Sequence, residues 1–335
     1  LDDRGLARNL AAAENLGATG VILTDKTGTL TKGEMQITKI LTPERRNGIL
    51  ELDFTIEYAS NLMLVLTYGL LISEAVIENP EDGAGDQILR GKAVDKAFVK
   101  AAMKAGLDFK KLNQTFKKIG QISFNSERKF AVSFRENENG EVWALAAGAP
   151  DVLLNHIKKI QILNRYENVM PYEFSTIKES VDELAKKGLR VIAVFSKKIE
   201  DKKKIDSSNI IETVSNLELV GLVGLKDPVR ADAGEFLSIA RRAGIRTVMV
   251  TGDHSFTARS VAKEVGLVVK NKTWPELLEG KDISSLDAKE LSHRVRSVDI
   301  FSRVNPEHKL KIVEAWKLQG EVVAVVGDGV NDAPA

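Results

Sequence analysis

A doubly wound parallel α/β sheet, interrupted by a large inserted α+β domain built on an antiparallel sheet, is the fold class that three observations predict. Short aliphatic runs near both extremes of the chain end in acidic or glycine-containing turns: residues 21–23 before Thr24-Asp25, residues 248–250 before Thr251-Gly252-Asp253, and residues 322–326 before Gly327-Asp328-Gly329. Helical stretches closed by glycine separate the later runs, the alternation expected of a parallel sheet with helices on both faces. Between Met35 and Asp227 no run ends in such a turn, and the roughly 190 residues there suffice for a separate domain. The expected organisation is therefore a discontinuous domain, 1–36 with 226–335, and an insertion over 37–225.

In chain order, residues 6–17 carry helical spacing and stop at Gly17, and residues 21–23 form a buried strand that delivers Asp25. Within the insertion, residues 58–73 are free of charge but too few for the roughly 20 apolar residues a bilayer span needs, so they predict a buried helix. Residues 80–91 predict a polar loop and 92–106 a helix stopped by Gly106. Residues 119–124, 130–134 and 142–146 predict strands, with a turn at 136–140. Helices are expected over 150–157, opened by Pro150, and over 173–187, closed by Gly188; residues 189–195 predict a strand. Residues 197–208 are a charged, unpatterned link. Order returns with a strand or strand pair over 217–225 and a helix over 229–243. A strand over 247–251, a helix over 255–265 and a strand over 298–301 follow. A helix then begins with Asn305 as N-cap and Pro306 in its first turn and closes at Gly320, before the last strand over 322–326.

Composition narrows the function classes. The 335 residues carry 48 basic and 47 acidic side chains, a formal net charge of +1, which offers no electrostatic case for nucleic acid. There is no cysteine, so disulfides and thiolate metal sites are excluded. The start Leu1-Asp2-Asp3 is not a secretory leader. No Gly-x4-Gly-Lys-Ser/Thr occurs, which removes P-loop kinases.

The chemistry converges on the strand ends. A carboxylate at the position of Asp25, beyond the carboxyl end of a parallel strand, can attack phosphorus and form an aspartyl phosphate. Nearby N–H groups and the Thr27 and Thr29 hydroxyls can hold phosphoryl oxygens. Taken alone, Asp25 reads more readily as a strand-end residue satisfying a turn. Thr251 and Gly252, at a helix start, make an anion site. Lys309, in the first turns of its helix, can neutralise charge shared by Asp25 and a phosphate, or simply be a solvated lysine. In Gly327-Asp328-Gly329-Val330-Asn331-Asp332, two carboxylates four residues apart can converge on one cation, and hard oxygen ligands beside phosphate select Mg²⁺.

Thr24-Asp25-Lys26-Thr27-Gly28-Thr29-Leu30-Thr31, with Ala12 to Gly17 before it and the three later stretches in this order, resembles the P-type cation-transporting ATPases of the haloacid dehalogenase-like superfamily. The resemblance covers nearly the whole chain. It implies a Rossmann-like phosphorylation domain, with Asp25 as nucleophile and Thr251, Gly252 and Lys309 stabilising phosphate. Asp328, Asp25 and the Thr27 carbonyl would bind Mg²⁺, with Asn331 and Asp332 behind them. Asp227-Pro228-Val229-Arg230 resembles the family's hinge motif, and Asp253, like Arg230, is expected near the nucleotide. Superfamily phosphatases carry an acid two positions after the nucleophile; Thr27 stands there and cannot protonate a leaving group, so the aspartyl phosphate is expected to persist.

The insertion resembles the nucleotide-binding domain of type II pumps, rather than of the heavy-metal class, whose Ser-Glu-His-Pro element is absent. By that resemblance Phe124 stacks adenine, Asp95 faces it, and Lys129, Gly148 and Arg190 complete an ATP site; Phe124 is equally compatible with a strand core. Gly148-Ala149-Pro150-Asp151 matches the end of a Lys-Gly-Ala-Pro-Glu element, but Ala147 stands where its lysine would be, and Ser126 where an arginine is common. The implied function is the cytoplasmic catalytic part of an ATP-driven cation pump, working with an actuator domain and membrane helices that this chain does not contain. A soluble phosphatase with a large cap and a catalytically silent nucleotide-binding module are the alternatives.

Overall fold

The computed structural model describes residues 17–46, 49–53, 59–79, 87–162, 165–200, 214–267 and 275–327. The chain divides into two compact units, residues 1–34 with 227–335 and residues 35–226.

The first unit is built on a five-stranded sheet in the order Leu277–Glu279, Ile300–Ser302, Arg246–Val250, Val21–Thr24, Val323–Val326, with every pair parallel. Both faces are apolar, as parallel strands require. Val21, Leu23, Val248, Val250 and Phe301 meet Ile312, Val313 and Trp316 of helix Pro306–Leu318 on one side. On the other, Met249 and Ile300 meet Leu237 of Ala233–Arg242 and Ala258 and Val261 of Ser255–Glu264. The chain winds from Val21–Thr24 in one direction and then returns to set Val323–Val326 on its other side. Asp25 thus leaves the carboxyl end of an interior strand where the winding reverses, the place where ligands gather in open sheets.

Helix Pro306–Leu318 begins as expected: Asn305 accepts from the His308 N–H at 2.8 Å and His308 Nδ1 accepts from the Asn305 N–H at 3.3 Å. The helix expected over 229–243 starts only at Ala233. Val229 instead forms an antiparallel bridge with Thr31, and the Arg230 N–H donates to Leu30 O at 2.9 Å, so residues 227–230 are held extended. Strand Leu277–Glu279 and helices Gly280–Ser285 and Ala288–Arg294 were not expected. The helix predicted over 6–17 falls almost wholly outside the described residues.

The second unit carries a nine-stranded sheet, in the order Arg165–Asn168, Ile157–Ile162, Leu217–Lys226, Arg190–Ile199, Val142–Gly148, Phe130–Asn137, Phe116–Ile122, with Gln36–Arg46 also on Leu217–Lys226 and Ile49–Asp53 on Gln36–Arg46. The expectation of an antiparallel sheet needs correcting: Leu217–Lys226 pairs parallel with Ile157–Ile162, so the sheet is mixed. The helix expected over 150–157 stops as α-helix at Leu153 and ends in one 3-10 turn at His156, because Ile157 enters that parallel pairing. Residues 217–225 are one long strand, buried on both faces. Residues 197–199, predicted as link, complete the strand Arg190–Ile199, while 201–213 lie outside the described residues.

The uncharged stretch forms helix Ala59–Ile72, which packs with helix Ala93–Lys104 on one face of this sheet. Helix Glu173–Lys186 covers the other face through Ile177 and Leu184. Gly106 and Gly188 terminate their helices with positive φ. Among the described residues no helix is long and apolar enough to cross a membrane.

Candidate functional site

In the first unit, Asp25 follows strand Val21–Thr24 directly, and its N–H is fixed by Val326 O of the neighbouring strand at 2.8 Å. Its carboxylate meets the ammonium of Lys309: Nζ lies 3.3 Å from Asp25 Oδ1, with the lysine and aspartate side chains 13% and 16% exposed. Helix Pro306–Leu318 explains the placement, since the Asn305 cap fixes where its first turn starts and Ile312, Val313 and Trp316 bury the adjacent face. Leu23, Val250 and Val313 wall the cleft around this pair and limit the water that can screen it.

The segment after Asp25 turns sharply. Thr27 is extended (ψ 129°) and Gly28 is left-handed (φ 73°), a conformation that disfavours any side chain. The extended segment 227–230 braces this turn: Arg230 donates to Gly28 O at 2.9 Å and to Thr31 O at 3.2 Å, and Thr31 Oγ1 lies 2.6 Å from Asp227 Oδ2. Arg230, expected near a nucleotide, is thus bound to the backbone of the Asp25 turn.

Lys26 was not assigned from the sequence. It is 5% exposed, and its ammonium sits 3.1 Å from Asp253 Oδ2 and 3.9 Å from Asp227 Oδ2. The three motif segments therefore converge through one buried cation. Its own signal was only its place inside the Asp25 stretch, where a lysine reads as solvated. Thr251 is 2% exposed, and the Asp253 N–H donates to its Oγ1 at 3.2 Å, while Gly252 is exposed beside it. Asp328, Asn331 and Asp332 lie outside the described residues. Among the described residues no group of three His, Cys, Asp or Glu is placed to hold a metal ion.

The second unit holds a cavity of about 220 Å³. Four of the residues expected to face ATP line it: Asp95, Phe124, Gly148 and Arg190. Ala147 lines it too, so the position that lacks the expected lysine does face the space. Gly148 is dictated by packing, because a Cβ there would come within 2.4 Å of Phe130 Cβ and 2.6 Å of Lys129 O. Burial, with Glu74 adding its charge, holds the Asp95 carboxyl above the ordinary aspartate range. Lys129 does not line the cavity; its ammonium pairs with Asp151 at 3.2 Å on the exposed surface. Ser126 is exposed and also outside the lining. Lys92, which no sequence motif singles out, is also in the lining.

Similarity to known proteins extends along the whole chain. The family described as P-type ATPase, cytoplasmic domain N, matches residues 61–232, just over half of the 335 residues. A calcium-transporting ATPase of Bacillus subtilis (strain 168) is 33% identical over an alignment that takes in 100% of this chain and 38% of that protein. Calcium-transporting ATPase 1 of Lactococcus lactis subsp. lactis (strain IL1403) is 31% identical over 98% of this chain and 36% of its own length. A probable cation-transporting ATPase F of Mycobacterium tuberculosis (strain ATCC 25618 / H37Rv) is 33% identical over 99% and 38%. The chain thus spans well under half the length of these relatives. With a family match over more than half its residues and relatives of one kind along its whole length, this chain belongs to the P-type cation ATPases.

Proposed function

We propose that this chain is the ATP-using catalytic part of a cation pump: the cavity of the 35–226 unit takes ATP, and Asp25 accepts the γ-phosphoryl group. The observation that carries the reading is Lys309 Nζ at 3.3 Å from Asp25 Oδ1, at the carboxyl end of an interior parallel strand. An Asp25 oxygen attacks the γ-phosphorus, the bond from that phosphorus to the β–γ bridging oxygen breaks, and ADP leaves with that oxygen. The Lys309 ammonium offsets the repulsion between the attacking carboxylate and the phosphoryl oxygens. Thr251 holds a third side of the phosphoryl group with its hydroxyl. The Asp227–Arg230 brace keeps the Gly28 turn from shifting as charge moves.

The Asp25 carboxylate and the Thr27 carbonyl at this strand end are hard oxygen donors that suit Mg²⁺, and together with Asp328 of the last motif they would hold it. When bound, it neutralises the β- and γ-phosphoryl oxygens. The haloacid dehalogenase-like architecture, the role of residues 37–225 as an inserted nucleotide-binding domain, and coupling to actuator and membrane domains belong to the same proposal. The relatives named as calcium- and cation-transporting ATPases support the transport role.

The test is formation of a phosphoprotein from γ-labelled ATP. An acid-stable, hydroxylamine-labile product that disappears in Asp25→Asn, with ATP binding retained, is expected. Label persisting in that variant would assign a different nucleophile, and rapid Mg²⁺-dependent release of phosphate would favour a phosphatase.

A further inference from the structure

Lys92 is the residue before helix Ala93–Lys104, and it caps that helix with no side-chain hydrogen bond. A cation at a helix N-terminus opposes the helix dipole, so helix stability does not account for it. Its contacts lead into the cavity instead. The ammonium lies 5.4 Å from the centroid of the Phe124 ring, donates to Phe124 O at 3.2 Å and sits 3.8 Å from Glu74 Oε2. The side chain is 53% exposed, which leaves it room to move. Among the described residues of the lining, Arg190 is the only other cation, since position 147 is alanine and Lys129 is paired with Asp151 on the surface.

We propose that Lys92 is a nucleotide-binding residue, covering the Phe124 ring until the base arrives and then moving to the phosphates. This rests on the reading that the cavity takes ATP. Exposed cation–π contacts are weak, whereas a base stacked on an aromatic ring is held more strongly, so the base can displace the ammonium. Four methylenes let the freed ammonium reach away from the ring toward the polyphosphate, the most anionic part of the ligand. Lys92 then supplies, from the helix side of the cavity, charge that the strand side lacks at Ala147.

The experiment is calorimetric titration of the chain and of Lys92→Met, Lys92→Arg and Phe124→Ala with ATP and with adenosine, at low and high salt. Lys92→Met is expected to weaken ATP binding about two- to fivefold at low salt, the size of an exposed ionic contact, and less at high salt. It should leave adenosine binding as tight as before or tighter, because the ring is uncovered. Lys92→Arg should keep most of the ATP affinity. If Lys92→Met binds ATP as tightly as the parent, or more tightly, Lys92 merely covers the ring and the proposal fails. If Phe124→Ala also leaves ATP binding unchanged, or the parent chain binds no ATP, the cavity is not the nucleotide site and both readings fail together.

Discussion

The Lys26 ammonium sits 3.1 Å from Asp253, joining the turn after the first strand to the turn after Arg246–Val250. Lys26 is almost fully buried, and Asp227 stands at 3.9 Å as a second counter-charge. Lys26→Met removes the cation but leaves both carboxylates facing the vacated volume. A half-stranded buried pair costs about 3–5 kcal/mol. Asp253 is 38% exposed and remains solvated, so about 2 kcal/mol is expected here. Chemical denaturation should show a lower midpoint at unchanged slope, and adding Asp253→Asn should restore part of the loss. An unchanged midpoint would mean that the buried ammonium holds nothing together.

Lys309→Met should slow phosphoprotein formation far more than it weakens ATP binding. The ammonium faces the Asp25 carboxylate proposed to accept the phosphoryl group, and the cavity with Phe124 lies in the other unit. Loss of one preorganised electrostatic partner lowers a chemical step by about 10²–10³-fold. Rapid-quench labelling at saturating ATP measures the step. A rate within a few-fold of the parent would show that Lys309 serves Asp25 only structurally.

Glu218 makes a pH-dependent prediction. It lies in strand Leu217–Lys226 and is 9% exposed, with Lys159 3.6 Å from one carboxylate oxygen. Burial pushes its carboxyl above the ordinary value of 4.5, and Lys159 only partly offsets this. The folded state therefore holds the proton more tightly than the unfolded state. Stability falls as pH rises from 4.5 through the raised value, and the penalty persists at neutral pH. Glu218→Gln should be more stable than the parent at pH 7, with the gain vanishing below about 4.5. Thermal melts across this range decide it; a difference that does not change with pH would assign the effect to packing.

The legible parts of the molecule were those written in local chemistry. Asn305 with Pro306 set a helix start, Gly106 and Gly188 set helix stops, and the run ending at Asp25 set a buried parallel strand. What escaped was fixed by distant partners. Gln36–Arg46 is a strand because Leu217–Lys226 offers it an edge, and no alternation in residues 36–46 announces it. Val229 reads as helical by composition but is drawn out by Thr31. Ile157–Ile162 takes parallel pairing with a strand some sixty residues on, which no hairpin signal can reveal. In the sites the same division holds. Asp25 and Lys309 were readable as types at strand and helix ends, whereas Lys26 and Lys92 look like any solvated lysine until their surroundings are known. The Asp287 and Glu290 capping box, by contrast, was in the sequence and was passed over.

Ala147→Lys should tighten ATP binding. Ala147 lies on strand Val142–Gly148, paired with Ala131 on one side and Val194 on the other, and it lines the cavity with Phe124 and Asp95. A lysine there projects a cation from the strand side, opposite in origin to Lys92 on the helix side. A charge-assisted hydrogen bond is worth about 1.5–3 kcal/mol when well formed. Water in the cavity screens much of that, so a gain of several-fold is expected, shrinking as salt is raised. Asp95 lies in the same lining and can hold the new ammonium before ATP binds, which further reduces the gain. The two cations would then share one anionic ligand, so Lys92→Met should cost less affinity in the Ala147→Lys background than alone. Calorimetric titration of the four proteins at two ionic strengths measures both the gain and the coupling. If Ala147→Lys leaves affinity unchanged at both salt levels, while Phe124→Ala still weakens it, the phosphates leave the cavity on another side and position 147 meets only the base.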